Sequence, residues 1–199
     1  MPKAVEGEYD IEAIRAEWIG KKTPRRHGRY PVEHDPIRRH CHMVEDENPL
    51  FLDPEFAART SYGGVIAPPV LVGYFAGGGA WPPSGGPTQG KRSSGEPVES
   101  KEPNFLADVP TRGERLINMN VAWEFFAPVR IGDRLSSETV LADIFEKSIR
   151  LDPKAVWIVT QNRIYNQDEE LVATNTNTLL THRRPEVVAV AAEAEGTEQ

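Results

Sequence analysis

A carboxylate and an imidazole four residues apart, Asp46 and His42, are the pair in this sequence best suited to moving a proton. If one helix carries both, they share a face one turn apart. Such a pair can serve as general acid and base, or can be a solvent-exposed local contact and nothing more. His40-Cys41-His42 has the residue types of a metal site. Positions 40 and 42 point well apart on a helix and cannot reach one ion, so no metal site is expected. Cys41 falls on an apolar stripe with Arg38 one turn back, and reads as a buried inert thiol rather than a nucleophile. Glu124 interrupts an apolar strand end. It is either a buried carboxylate with a role or an edge-strand residue facing water. Gly132-Asp133 reads as turn chemistry, and His27, His34 and His182, in polar surroundings, read as surface residues.

The elements that must position these groups fall into a helical half followed by a stranded half. Asp10 is the expected N-cap of a helix to Trp18, with Ile11, Ile14 and Trp18 on one face. Tyr30-Pro31-Val32 reads as extended, because the residue before proline disfavours helix. Asp35-Pro36 is the expected start of a second helix, with a buried stripe of Ile37, Cys41 and Val44 and an end near residues 46–49. A short third helix begins at Asp53-Pro54. The apolar run from Ala67 to Ala76 reads as a buried helix sheathed on most sides, with Pro68-Pro69 in its first turn.

From Gly77 to about Arg112 the composition turns to Gly, Pro and Ser, with Trp81 and Phe105 as isolated anchors. This is either a flexible insertion or a flap over a substrate. Strands are then expected at 116–126, 133–147, 156–165 and 171–182, with a hairpin turn at Asn166-Gln167-Asp168-Glu169. Thr174, Thr176 and Thr178 share one parity and suit an exposed face. The expected organisation is one domain over residues 1–183 containing the 77–112 insertion, then a polar tail, 184–199, that is a frayed helix or disordered. The fold class is α+β, a long antiparallel sheet wrapped around a central apolar helix.

At 199 residues the chain can bury a full hydrophobic core. Its 30 acidic and 23 basic side chains leave a net charge of -7, which argues against a nucleic-acid surface. The short pairs Lys21-Lys22, Arg25-Arg26 and Arg38-Arg39 suit a solvated face, or one phosphate-bearing ligand. A single cysteine excludes an internal disulfide and fits a cytoplasmic location. No apolar run approaches the roughly 20 residues a membrane helix needs, so no membrane partner is expected.

Three stretches, in order, resemble a known family: Asp46 to Ala57, Gly64-Val65-Ile66-Ala67-Pro68-Pro69, and Trp123 to Asp133. They are similar to the N-terminal domain of MaoC-like dehydratases, hot-dog-fold enoyl-CoA hydratases, and together cover roughly Ile37 to His182, most of the chain. The resemblance implies a hot-dog fold and reversible addition of water across an enoyl-CoA thioester by an Asp–His pair. Asp46 matches the family's Asp and Asn48 its structural neighbour, whereas Phe51 stands where the family has His. Where the family has His-Gly, with the glycine amide serving the thioester oxygen, this chain has Pro68-Pro69, and Pro69 has no N–H.

The resemblance therefore implies the pocket half of a hydratase whose second hot-dog subunit brings the catalytic pair. Asn48, Phe51, Ala67, Pro68, Pro69, Tyr74 and Trp81 would contact substrate. No metal or redox cofactor is implied, and coenzyme A enters as part of the acyl-CoA substrate. Two other readings stand beside it. One is a self-sufficient homodimer using Asp46 with a non-standard donor such as His42. The other is an acyl-thioester-binding module without catalysis.

Overall fold

The computed structural model describes residues 3–4, 9–77, 108–113 and 115–197. Trp81 and most of the expected 77–112 insertion lie outside them. The strands are β1 (Lys3–Ala4), β2 (Arg26–His27), β3 (Pro110–Thr111), β4 (Arg115–Phe125), β5 (Ser136–Glu146), β6 (Val156–Tyr165) and β7 (Leu171–His182). The helices are α1 (Ile11–Trp18), α2 (His34–Val44), α3 (Pro49–Leu52), α4 (Pro54–Ala58), α5 (Val72–Phe75) and α6 (Pro185–Thr197).

β2, β5, β6, β7 and β4 form one antiparallel sheet in that order, so β4 is an edge. β1 and β3 pair separately and in parallel. Register breaks at Met119 in β4 and at Ala142 in β5. One extra residue on one strand increases local twist and bends the sheet, which is how long strands can curl around a helix.

Two apolar clusters lie under the sheet. α1 covers one of them. Asp10 caps this helix as expected, its Oδ1 accepting the amides of Glu12 and Ala13 at 3.0 Å. Ile11, Ile14 and Trp18 then pack on Leu141, Ile144, Val156, Ile158 and Leu179. Arg15 pins the helix to the sheet through Asp143 Oδ1 at 2.7 Å. The other cluster joins Ile37 and Cys41 of α2, Phe51 of α3 and Ala57 of α4 to Val72 and Phe75 of α5 and to Ile164 and Ala173 of the sheet.

α2 starts one residue before Asp35, which lies in the first turn and holds Arg38 and Arg39 at 2.7 and 2.6 Å instead of capping. The buried stripe is Ile37 and Cys41; Val44, the third member expected, is 50% exposed, because the helix ends there and the chain turns away. Glu45 makes that turn in the left-handed region at φ 58°, and Asp46 N–H reaches back to Cys41 O at 2.9 Å. This is a Schellman closure with a side chain where glycine costs least. Glu45→Gly is expected to raise stability by about 0.5–1 kcal/mol, read as a shift of the urea midpoint at constant slope.

The apolar run is less sheathed than its composition suggests. Pro68 and Pro69 cannot donate helical hydrogen bonds, so the segment opens as a 3-10 turn, Pro69–Leu71, and continues as the short α5. Val72, Phe75 and Ala76 are buried, while Val70 and Tyr74 are 67% and 63% exposed. Gly73 lies flat on the Trp123 indole, where a Cβ would sit 3.3 Å from the ring. Gly28 lets the far edge close on the same helix, since a Cβ there would come within 2.2 Å of the Phe75 carbonyl.

Two surface expectations are corrected. Thr174 is only 3% exposed, because register sets it between Arg163 and Glu124, which accepts its hydroxyl at 3.3 Å. His182 is buried at 6% exposure, with the Gly113 backbone against it and its Nδ1 2.8 Å from Arg183 O. The residues after Arg184 form α6 through Thr197.

Candidate functional site

The described residues line an open apolar pocket of about 310 Å³ between the segment entering α5 and the C-terminal end of β4. Ile66, Ala67, Pro69 and Val72 form one wall, and Phe125 to Val129 the other, with Tyr62 at the rim. The walls are held in register by backbone bonds. Ala67 N–H donates to Val129 O at 2.7 Å, and Ile66 bridges to Arg130. The turn beyond is built as expected. Gly132 takes φ 94°, and Asp133 Oδ2 accepts Arg130 N–H at 2.7 Å.

This arrangement has consequences for chemistry. The Ala67 amide is used, and Pro68 and Pro69 have none, so the next N–H along the segment is that of Val70. Val70 precedes the first bond of the 3-10 turn, which runs from Leu71 N–H to Pro68 O at 2.9 Å. Among the described lining residues, Tyr62 alone carries an ionisable group. A pocket of this lining can hold an apolar chain.

The residues singled out by sequence are brought together only in part. Ala67 and Pro69 line the pocket, and Pro68 is buried behind them. Phe51 does not reach it; it is 9% exposed and belongs to the core. Tyr74 points outward, edge-on to Phe75 at 5.2 Å, and Trp81 lies outside the described residues. Asn48 is an exposed N-cap, its Oδ1 accepting Leu50 N–H at 3.0 Å. Asp46 in turn accepts Asn48 N–H at 3.0 Å, so its carboxylate shapes the entry to α3.

The shared helical face expected for His42 and Asp46 does not form. The left-handed turn at Glu45 intervenes, His42 is exposed, and no hydrogen bond or ion pair joins them among the described residues. Cys41 is fully buried; burial first, and then the Asp46 charge, push its thiol up, which keeps it protonated and inert. Glu124 is exposed on the edge strand, the second of the two readings for it. Among the described residues no group of three or more His, Cys, Asp or Glu side chains could hold a metal ion, and no helix is long and apolar enough to cross a membrane.

Residues 17–175 match the family model described as the FAS1-like dehydratase domain region. The chain belongs to this family of MaoC-like hot-dog dehydratase regions. Curated relatives are more distant. A UPF0336 protein of Mycolicibacterium paratuberculosis is 24% identical over 162 residues, 77% of this chain and 83% of that protein. Another from Streptomyces avermitilis is 26% identical over 132 residues, covering 66% and 74%.

Solved structures share the hot-dog fold. The ChsH1-ChsH2 complex of Mycobacterium tuberculosis superposes with a TM-score of 0.60 at 17% identity, covering 87% of this chain and 94% of that one. The MaoC-like dehydratase of Rhodospirillum rubrum gives 0.52 at 20% identity, with 84% and 94% covered. The HadBC (3R-hydroxyacyl-ACP dehydratase) complex of Mycobacterium tuberculosis gives 0.52 at 20%, with 86% and 98% covered. The pocket residues that sequence reasoning missed, Tyr62, Val72 and Phe125 to Val129, come from this fold. Most lie about sixty residues from the Ala67 segment, inside the third stretch that carried the resemblance.

Proposed function

We propose that this chain supplies the acyl-binding wall of a MaoC-like enoyl-thioester hydratase or dehydratase. A second hot-dog subunit brings the catalytic carboxylate and imidazole. The observation that carries this is the pocket itself. It is built by two of the three stretches that match the family. The family's histidine position, however, is filled by Phe51 in the core, and Pro68-Pro69 stand where an amide donor is needed.

In the reaction, hydroxide from water bonds to Cβ of the enoyl group and a proton is delivered to Cα, or the reverse. The partner's pair would activate that water and move that proton, a contribution of about 10²–10⁴-fold for each group. Coenzyme A would enter with the substrate. The partner reading is also supported by β4, which among the described residues has one unpaired edge, with large apolar side chains exposed along it. Two of the neighbouring structures are themselves complexes, ChsH1-ChsH2 and HadBC.

The test is crotonyl-CoA hydration, followed by loss of the enoyl-thioester absorbance. The purified chain alone is expected to stay at the uncatalysed rate. Addition of a hot-dog chain carrying an intact Asp-x-Asn-Pro-x-His should raise the rate by at least about 10²-fold. Within that complex, Asp46→Asn is expected to change kcat less than about threefold, since Asp46 serves the α3 turn. Turnover by the chain alone that Asp46→Asn abolishes would instead establish the self-sufficient homodimer.

A further inference from the structure

The middle of the concave sheet face is polar where a core should be apolar. Cross-strand partners point to the same side of a sheet, so register assigns each row to a face. Trp123 packs on Gly73 of α5, which marks its row as facing the helix. That row runs Thr139, Asn162, Asn175, Trp123, and the next runs Leu141, Thr160, Asn177, Val121. The rows on either side are largely apolar. One holds Ser137, Ile164, Ala173 and Phe125, and the other Ile144, Ile158, Leu179 and Asn118.

Asparagine is disfavoured in strands, and three of them at the centre of a sheet work against its stability. Their amides are also unused. No side chain of Asn162, Asn175 or Asn177 takes part in a hydrogen bond among the described residues, and Asn177 Oδ1 is buried without a partner. A buried amide oxygen without a partner is costly, so the chain retains Asn177 Oδ1 against a penalty that a bound donor would remove. All three asparagines are half-buried rather than sealed. The band also adjoins the pocket, because Trp123 stacks at 5.7 Å on Phe125, a pocket-wall residue.

We infer that this band is a subsite for hydroxyl groups on the acyl chain, so that the preferred substrate is a hydroxylated acyl thioester rather than a plain alkyl one. The inference rests on the acyl-thioester reading above. Each amide presents both a donor and an acceptor, which a hydroxyl answers on both sides. Neither row contains a charged residue, which selects a neutral oxygen function over a carboxylate. The two rows lie about 7 and about 14 Å along the strands from the Phe125 row.

Affinities of octanoyl-CoA and its terminally hydroxylated counterpart are to be compared by calorimetry, using the full chain with any hot-dog partner that copurifies. The hydroxylated thioester should bind at least about tenfold tighter. Asn177→Leu should weaken it about tenfold, whereas Thr176→Val, one residue away on the opposite face, should leave both affinities in place. If Asn177→Leu does not fold, Asn175→Val serves the same purpose. Equal affinities in the wild type, or tighter binding of the alkyl thioester, would overturn the subsite while leaving the acyl-thioester reading standing. No binding of either thioester would remove that reading and the subsite with it.

Discussion

Asp152→Ala is expected to lower the unfolding free energy by about 3–5 kcal/mol, the usual cost of stripping one partner from a buried ion pair. Asp152 is 0% exposed and lies in the loop between β5 and β6. Its carboxylate receives Arg183 Nη2 at 2.6 Å, Nε at 3.1 Å, and the amides of Arg183 and Lys154 at 2.9 and 3.0 Å. The loop is thereby tied to the end of β7, and removing the acid takes this bidentate contact from a side chain only 12% exposed. Burial alone would raise the Asp152 carboxyl; the Arg183 and Lys154 hydrogen bonds outweigh it and hold the carboxyl below its ordinary value of 3.8.

The sign of the pH effect follows. A carboxyl depressed in the folded state contributes stability that is fully present above its unfolded value, and loses it as pH falls through the folded value. Urea titrations should therefore show the full deficit of Asp152→Ala at pH 7 and a shrinking one below about pH 4. A variant with wild-type stability at pH 7 would show that the pair does not anchor the loop.

Lysines at two positions of the β4 edge should break the chain's assembly with a second hot-dog protomer. Ile117 and Met119 are 42% and 47% exposed on a strand that, among the described residues, pairs with β7 alone. Such an edge is a template for a further strand unless charge or proline blunts it. In Ile117→Lys/Met119→Lys, two charges would have to be desolvated without partners. Association should weaken by at least about a hundredfold, or about 2.7 kcal/mol. Light scattering across a dilution series reads this directly. Both side chains are already exposed, so the monomer's urea midpoint should hardly move. A wild-type chain that stays monomeric, even beside a partner carrying the intact motif, would sink the edge-pairing scheme.

Much of the frame was legible in local chemistry. The Asp10 cap, the α1 face, the four long strands and the hairpin turn at residues 166–169 each follow from a few neighbouring residues. Phe51 and Pro68-Pro69 also state by covalent structure alone what they cannot do, since Phe51 transfers no proton and neither proline has an N–H to donate. Local pattern misled where a single backbone angle decides the outcome. His42 and Asp46 have the spacing of a helical pair, yet the left-handed Glu45 between them sends Asp46 to the α3 turn.

What the sequence by itself determined, then, is the family and the α+β class, because these are properties of residue types and short-range order. Only the tertiary structure decided which residues share a wall or a face. The pocket joins Ala67 to Val129, and the polar band joins strands whose register depends on irregularities at Met119 and Ala142. A shift of one residue would turn every side chain of a strand to the opposite face. The unused amides of Asn162, Asn175 and Asn177 therefore become a feature only once the strands are paired.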